Sequence, residues 1–242
     1  MAKIALTGKT DVGLKRSNNE DSLIISPELK FSLVADGMGG AAAGELASRI
    51  FADSAMDIFS AASGRTQAET PALIQKAFRL ANKKILEHVK KEPSHSGMGC
   101  TAELIAFSDE GFALGHVGDS RTYRIRNGLL KQLTHDHSLV QNLVDQGMIS
   151  AEDARHHPHR NVILRAVGIE ENLALDVIKG KTLPGDIFML CSDGLTDMVE
   201  DALIKEVISS TLSIEQKAEG FVELAKLAGG NDNITVVLCQ VL

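Results

Sequence analysis

Short apolar runs separated by turn residues dominate the hydrophobic pattern of this chain. The runs are five to ten residues long and are bounded by glycine, proline or asparagine, as expected of buried β-strands. They are IALTGKT (4–10), SLIIS (22–26), FSLVA (31–35), CTAELIAFS (100–108), GFALGHVG (111–118), RTYRIRNG (121–128), NVILRAV (161–167), LALDVIKG (173–180), DIFMLCS (186–192) and NITVVLCQVL (233–242). Several neighbours are joined by only a few residues, so these strands should pair antiparallel.

Segments with a helical period lie between the strands. Two long helices are predicted over 44–61 and 71–91, and the first has an apolar face of Leu46, Ile50, Phe51, Met56, Ile58 and Phe59. A helix over 138–147 and a short one opened by Ser150 and Asp153 follow. Two more helices precede the last strand, the second opened by Ser213 and Gln216.

Strands and paired helices therefore occur in blocks. Such blocks are typical of an α+β fold in which two antiparallel sheets are covered by helices. The 242 residues show no internal repeat or low-complexity tract, so we expect one domain over 1–242.

The composition excludes several classes of protein. The net charge of −7 and the lack of a basic stripe argue against a nucleic-acid partner. No run of about 18 apolar residues is present, and the N-terminus has no signal-peptide core. Cys100, Cys191 and Cys239 lie in apolar runs without CxxC spacing, so we expect free thiols in a cytoplasmic protein.

Four aspartates lie at ends of apolar runs: Asp36, Asp119, Asp193 and Asp232. A sheet that brings them together would form an acidic pocket. Two carboxylates about 5 Å apart repel by about 3 kcal/mol at an effective dielectric constant of about 20. The pocket should therefore hold protons or bind cations, and an all-oxygen donor set favours Mg²⁺ or Mn²⁺ over zinc.

Glycines 37, 39 and 40 follow Asp36 and precede a helix. A turn without side chains would let the Gly37 carbonyl approach a cation beside Asp36. A purely structural tight turn is the alternative. The relaxed dinucleotide fingerprint Gly37-x-Gly39-x-x-Ala42 is disfavoured, because Asp36 would repel a pyrophosphate and the surroundings are rich in hairpins.

Arg16 lies in a charged loop, where its planar guanidinium suits the paired oxygens of a phosphate. A solvated arginine is the alternative. Glu20 and Asp21 point to opposite faces if this segment is extended, so one can enter the acidic pocket while the other supports it.

The histidines offer a competing metal site. His135 and His137, and likewise His157 and His159, have HxH spacing, but no cysteine is near them. A simpler interpretation of these histidine pairs is that Asp136 caps a helix N-terminus and that the second pair lies in an exposed polar segment. Cysteine-based phosphatase chemistry is excluded, because Cys-x5-Arg spacing is absent.

Six motifs in order resemble the protein phosphatase 2C family, and most closely its short bacterial members that consist of the catalytic domain alone. They are RSNNEDS (16–22), VADGMGG (34–40), GHVGDSR (115–121), LTHDHSLVQ (133–141), CSDGLTD (191–197) and GGNDNITVV (229–237). The resemblance covers nearly the whole chain. It implies a β-sandwich of two antiparallel sheets flanked by helix pairs, with a binuclear metal centre at one end.

The resemblance also implies roles for individual residues. Two core Mn²⁺ or Mg²⁺ ions would be bound by Asp21, Asp36, the Gly37 carbonyl, Asp193 and Asp232, and a third ion by Asp119 with Asp193. Arg16 would bind the substrate phosphate, while Glu20, Asn233 and, with a less defined role, Asp197 would support the ligands. Residues from about 145 to 165 would form a flap beside the active site.

The implied function is a protein serine/threonine phosphatase in which a metal-activated water attacks the phosphorus directly. Its partners would be proteins phosphorylated by Ser/Thr kinases, and we expect a monomer. One departure from the family pattern is Ala41, at a position where bacterial members often carry histidine. The alternatives are a hydrolase of small phosphate esters and a phosphoprotein-binding module with weakened catalysis.

Overall fold

The computed structural model describes residues 3–39, 43–62, 66 and 68–242. Ten strands form two five-stranded sheets in which every paired strand is antiparallel. The strands are β1 (Ile4–Asp11), β2 (Asp21–Ser26), β3 (Phe31–Met38), β4 (Gly99–Phe107), β5 (Phe112–Val117), β6 (Arg121–Arg126), β7 (Leu129–Gln132), β8 (Asp176–Gly180), β9 (Ile187–Cys191) and β10 (Ile234–Val241). The first sheet has the order β1-β10-β9-β6-β7 and the second β2-β3-β4-β5-β8.

Four of the helices in the described ranges cover the outer faces of the sheets. The helices are α1 (Ala43–Ser60), α2 (Thr70–Lys91), α3 (Leu139–Asp145), α4 (Ala151–His156), α5 (Asp193–Thr196), α6 (Asp201–Ser209) and α7 (Ile214–Leu227), and a 3₁₀ turn spans Pro93–His95. Helices α1 and α2 pack on the second sheet, and α6 and α7 pack on the first. None of the helices in the described part of the chain combines the length and apolar character needed to cross a bilayer.

A third apolar cluster fills the space between the two sheets. Phe107 and Phe112 from the second sheet pack around Phe188 from the first, with ring centroids 5.6 and 4.7 Å from the Phe188 ring. The layers are therefore α-β-β-α, as the sequence predicts.

The buried face of α1 differs from the predicted one. Phe51 and Phe59 are buried, but Leu46, Ile50, Met56 and Ile58 are only partly covered. Small residues occupy most of the buried face instead: Ala43, Gly44, Ala47, Ser48, Ala52, Ser54 and Ala55. Small side chains let α1 approach the sheet and α2 closely, a packing requirement that a hydrophobicity pattern does not reveal.

Two local predictions were wrong. In the described chain, residues 161–167 make isolated bridges, Ser138 to Ile163 and Cys100 to Val167, instead of a strand. Asp136 does not cap α3, because Ser138 is the N-cap and accepts a hydrogen bond from the Gln141 amide at 3.2 Å. The predicted capping pairs Ser150–Asp153 and Ser213–Gln216 are both present.

Candidate metal centre

The candidate acidic residues come from both sheets and meet at one end of the sandwich. Asp21 begins β2 and lies directly opposite Asp36 near the end of β3. Asp119 lies in the turn between β5 and β6, Asp193 begins α5 directly after β9, and Asp232 precedes β10. The first sheet also reaches Asp21, since Ser192 and Thr235 donate hydrogen bonds to its Oδ2 at 2.9 and 2.6 Å.

Burial and nearby negative charge both shift the protonation of these carboxyl groups. Burial, together with the charge of Asp232, raises the pKa of Asp21 to about 6. Burial and the charge of Asp136 raise the pKa of Asp119 to about 7. These shifts mean that the carboxyl groups ionise together only at a cost, which a bound cation would remove.

The two central carboxyl groups are shifted further. Burial and the charges of Asp21 and Asp193 hold the pKa of Asp36 well above its ordinary value. Burial and the charges of Asp119 and Asp197 do the same for Asp193. The five aspartates therefore form one electrostatic group, although they are far apart in sequence.

Three of these carboxylates also have a buried oxygen without a hydrogen-bond partner among the described residues. The atoms are Oδ1 of Asp21, Oδ1 of Asp119 and Oδ1 of Asp193. A buried carboxylate oxygen that lacks a donor is costly. Oxygens of this kind are the ligands preferred by Mg²⁺ and Mn²⁺, so the donor set fits a divalent cation.

The acidic side chains of the described residues do not converge on a single position for a metal ion. No group of three or more His, Cys, Asp or Glu side chains in that part of the chain is arranged to hold a metal ion. Two carboxylates are engaged elsewhere: Asp21 by the two hydroxyl groups, and Asp232 by Arg16. Binding a cation would therefore require side-chain rotation at the centre.

Two glycines let backbone segments approach each other closely beside the carboxylates. A Cβ atom on Gly37 would lie 2.1 Å from the carbonyl oxygen of Gly44, and one on Gly194 would lie 1.9 Å from that of Asn233. The Gly37 amide donates to the Glu20 carbonyl at 3.2 Å. A side chain at either position would push the segments carrying Asp36 or Asp193 away from the centre.

Arg16 reaches the centre from the loop between β1 and β2. Its Nη2 donates to Oδ2 of Asp232 at 2.6 Å, and about half of its side chain stays exposed. The loop itself is held by Asn233, whose Nδ2 donates to the carbonyls of Val12 and Asn18 at 3.0 and 2.9 Å. Asn233 Oδ1 also accepts from the Glu20 amide at 2.8 Å, so this buried amide fixes the Arg16 loop.

Glu20 lies beside the first turn of α1. Its half-buried carboxylate is close to Gly44 and accepts a hydrogen bond from Asn18 at 3.3 Å. Its carbonyl accepts from Ser48 Oγ at 2.6 Å. Glu20 is thus bonded at the edge of the acidic group, while Asp21 enters it.

A cleft of about 590 Å³ extends from Asp119 and Asp193 towards residues 151–160. Asp197 lies on its wall, where Arg160 Nε is 3.6 Å from Asp197 Oδ2. Arg155 donates to the Thr196 carbonyl at 3.0 Å. The segment containing α4 is therefore tied to α5 across the cleft.

The sequence did not indicate the polar residues that support Asp119. Arg121 makes a bidentate ion pair with Asp136, in which Nε donates to Oδ1 at 3.0 Å and Nη2 donates to Oδ2 at 2.7 Å. His116 Nδ1 hydrogen-bonds to the buried Glu103, and the His116 ring stacks on His137. The motifs GHVGDSR and LTHDHSLVQ contain all of these residues except Glu103, but the sequence assigned them no supporting role. The two rings with HxH spacing, at 135 and 137, face different partners, Asp145 and Gly118.

The comparisons with known proteins agree with the fold. The family model described as Protein phosphatase 2C matches residues 15–228. The chain is 37% identical to the serine/threonine phosphatase stp of Listeria innocua, over 96% of this chain and 94% of that protein. The chain belongs to the protein phosphatase 2C family.

Solved structures support the same conclusion. The crystal structure of the Mycobacterium tuberculosis serine/threonine phosphatase PstP/Ppp is 36% identical, with a TM-score of 0.93, covering 100% of this chain and 99% of that one. A structure of the PstP catalytic domain in complex with two manganese ions is also 36% identical, with a TM-score of 0.92 and full coverage of both chains. Two positions named in the sequence analysis lie outside the described residues. They are Ala41, the departure from the family pattern, and Ala42, part of the dinucleotide fingerprint.

Proposed function

We propose that this protein is a metal-dependent protein serine/threonine phosphatase that hydrolyses phosphoserine and phosphothreonine in other proteins. The observation that carries the proposal is the group of buried carboxylates with unpartnered oxygens at Asp21, Asp119 and Asp193, in a chain of the protein phosphatase 2C family. The relatives described above are named serine/threonine phosphatases.

Manganese is the cofactor best supported, because the similar PstP structure holds two manganese ions. Asp21, Asp36, the Gly37 carbonyl, Asp193 and Asp232 would hold two ions, and Asp119 with Asp193 a third. Mg²⁺ would accept the same oxygen donors. Bound divalent cations supply a water of lowered pKa and neutralise charge on the phosphate.

The protein's own residues would bind and orient the phosphate ester. Arg16 is held at the mouth of the centre by Asp232, and its exposed guanidinium can donate two parallel hydrogen bonds to phosphate oxygens. Asn233 keeps the Arg16 loop in place. The three thiols are buried, so none of them can be the nucleophile. A water molecule would attack the phosphorus, the P–O bond to the serine or threonine oxygen would break, and inorganic phosphate and the free hydroxyl side chain would leave.

The cleft between residues 151–160 and α5 would receive the polypeptide on one side of the phosphorylated residue. Residues from about 145 to 165 would then serve as the flap of the active site. Substrates would be proteins phosphorylated by Ser/Thr kinases, with the kinase itself as one candidate. Buried free cysteines suit a reducing cytoplasm, and the monomeric state stays a prediction.

Asp193→Asn tests the proposal. Hydrolysis of p-nitrophenyl phosphate with Mn²⁺ should be present in the unchanged protein, abolished by EDTA, and lost by at least about 100-fold in the variant, because a ligand shared by two ions is removed. Asp53→Asn, at an exposed position of α1, is the matched control and should keep full activity. Full Mn²⁺-dependent activity of Asp193→Asn would contradict the assignment.

Substrate class requires a separate comparison. The protein should hydrolyse phosphoserine and phosphothreonine peptides with a higher kcat/KM than nucleotides or sugar phosphates. The reverse order would favour a hydrolase of small esters.

A further inference from the structure

His137 lies where three segments meet: the turn after β5, the loop before α3 and residues 162–165. Only 7% of its surface is exposed. Its backbone amide donates to the Gly118 carbonyl at 2.7 Å, and its ring Nδ1 accepts from the Gly118 amide at 3.1 Å. Both polar groups of the Gly118 backbone are thus bonded to one residue.

These bonds define the protonation of the His137 ring. A backbone amide is a donor, so Nδ1 must keep its lone pair and the ring proton is on Nε2. Oδ2 of Asp176 lies 3.2 Å from Nε2 and accepts that proton. Arg165 Nη1 lies 3.1 Å from Nε2, but both nitrogens are donors, so Nη1 does not bond to Nε2 and pairs instead with Oδ1 of Asp176 at 3.5 Å. The carboxylate is thus shared between the two side chains.

The surroundings keep the His137 ring neutral. Burial and the nearby charges of His116 and Arg165 lower the pKa of His137 to about 4. His116 stacks on it at 4.5 Å between centroids and is the charged partner. Burial raises the pKa of Glu103. Burial alone would lower the pKa of His116, but the Glu103 carboxylate raises it to about 9. Both shifts keep a proton on this pair.

Gly118 is the residue through which His137 can act on Asp119. Its φ of +109° is left-handed, and a Cβ there would lie 2.5 Å from Cβ of Thr101. The turn therefore has little freedom on the side of β4, and His137 closes the other side. Asp119 follows directly, with 8% exposure and the unpartnered Oδ1.

The backbone of the same histidine also holds the segment that returns from α4. The Leu164 amide donates to the His137 carbonyl at 2.7 Å, and the Leu139 amide donates to the Val162 carbonyl at 2.9 Å. His137 is thus bonded to the Asp119 turn through its ring and to residues 162–164 through its carbonyl.

We propose that His137 is a positioning residue for the reaction: its Nδ1 fixes the Gly118–Asp119 turn so that the Asp119 carboxylate faces the metal centre. This inference rests on the proposed function, in which Asp119 binds a metal ion together with Asp193. His137 contacts neither substrate nor metal and acts through Gly118 alone.

The test uses three variants of the whole protein and two readouts. His137→Ala removes the acceptor, His137→Asn places an amide oxygen near the position of Nδ1, and His137→Gln places its amide near Nε2 instead. Mn²⁺ binding to EDTA-treated, desalted protein is measured by calorimetry, and p-nitrophenyl phosphate hydrolysis is measured against Mn²⁺ concentration. Melting temperatures are recorded alongside.

Loss of a residue that orients a ligand costs about 10- to 100-fold in metal affinity or activity, and we expect this for His137→Ala. His137→Asn should recover most of the loss and His137→Gln should not, although both lower the melting temperature. Equal impairment of the Asn and Gln variants, or activity that follows the melting temperature alone, would overturn the inference.

Asp119→Ala separates this inference from the proposed function. If His137 acts through Asp119, adding His137→Ala to Asp119→Ala should weaken Mn²⁺ binding no further. Additive losses would show that His137 acts elsewhere and would leave the metal assignment intact. If Asp119→Ala alone binds Mn²⁺ as the unchanged protein does, the assignment of Asp119 fails, and the role of His137 fails with it.

Discussion

At the scale of single residues, the centre is made of groups that have too few partners among the residues that the structure describes. The carboxylate of Asp193 begins α5 with one buried oxygen unpaired, and Asp21 has one satisfied and one unsatisfied oxygen. Arg16 is the exception, because it is paired with Asp232 and still half-exposed. This combination lets Arg16 meet an incoming anion without first leaving a buried position.

Arg16→Ala should lower kcat/KM for a phosphopeptide by about 10- to 150-fold, the value of a charged hydrogen bond of about 1.5–3 kcal/mol. The kcat/KM of Arg16→Lys should lie between those of the unchanged protein and of Arg16→Ala, because lysine keeps the charge but loses the planar guanidinium group. Steady-state kinetics at saturating Mn²⁺ give the comparison.

Lys15→Ala changes an exposed neighbour in the same loop and should leave kcat/KM unchanged. An Arg16→Ala protein within about twofold of the unchanged enzyme would remove Arg16 from phosphate binding.

At the scale of elements, the strands with long apolar runs were predictable, because burial on both faces leaves a nearly continuous hydrophobic signal. β7 was not predicted, since LLKQ is only four residues long and its residues alternate between exposed and partly buried. Residues 161–167 resemble a strand in composition, but their two bridges, from Ile163 and Val167, go to different segments, so no ladder forms. Whether such a segment becomes a strand depends on which elements pair with it, and the local sequence does not contain that information.

Local sequence likewise predicts only part of the candidate metal centre. The aspartates at strand ends could be found from sequence, because each follows or precedes a clear apolar run. Asp21 opposite Asp36 depends on strand register, and the amide of Asn233 bonds to Val12 and Asn18 more than 200 positions away. His137 and Gly118 are brought together only by the tertiary fold.

The capping box of α7 offers a prediction at this scale. Ser213→Ala removes the acceptor for the Gln216 amide, and loss of an N-cap costs about 1 kcal/mol. The melting temperature should fall by about 2–4 °C for a chain of this size. Ser213 lies at the opposite end of α7 from Lys226, which pairs with Asp11 near the Arg16 loop, so kcat/KM should not change.

Thr211→Ala, two positions earlier and exposed, is the control and should leave the melting temperature unchanged. Scanning calorimetry provides the measurement. A Ser213→Ala protein with the original melting temperature would mean that the cap adds nothing to α7.

At the scale of the whole molecule, the acidic centre joins the two sheets at one end of the sandwich. Ser192 and Thr235 of the first sheet bond to Asp21 of the second, and Thr122 bonds to Glu103 across the same interface. Protonation at the centre is therefore linked to the stability of both layers.

The raised pKa values fix the direction of the pH dependence. Asp21 and Asp119, with pKa values raised to about 6 and about 7, hold protons in the folded protein that the unfolded chain has released. Without metal, this contribution to stability is complete below about pH 4 and is lost as pH rises through about 6 and 7. Mn²⁺ takes the place of the protons, so the gain in melting temperature on adding Mn²⁺ should grow from pH 5 to pH 8.

Melting curves with Mn²⁺ and with EDTA at each pH measure this gain. Taking the difference removes the contributions of His116 and His137, which titrate in both samples. In Asp193→Asn, the gain in melting temperature on adding Mn²⁺ should increase less between pH 5 and pH 8, because one titrating carboxyl group is gone. A gain that is constant between pH 5 and pH 8 would contradict the linkage.

The placement of Asp21 directly opposite Asp36 has a consequence beyond catalysis. Like charges across a strand pair weaken the sheet unless protons or a cation neutralise them, and the protons leave this pair as the pH rises. A molecule deprived of manganese would open more often at this edge and become a target for proteolysis. The supply of the ion would then govern how long each copy survives in the cell, in addition to how fast it works.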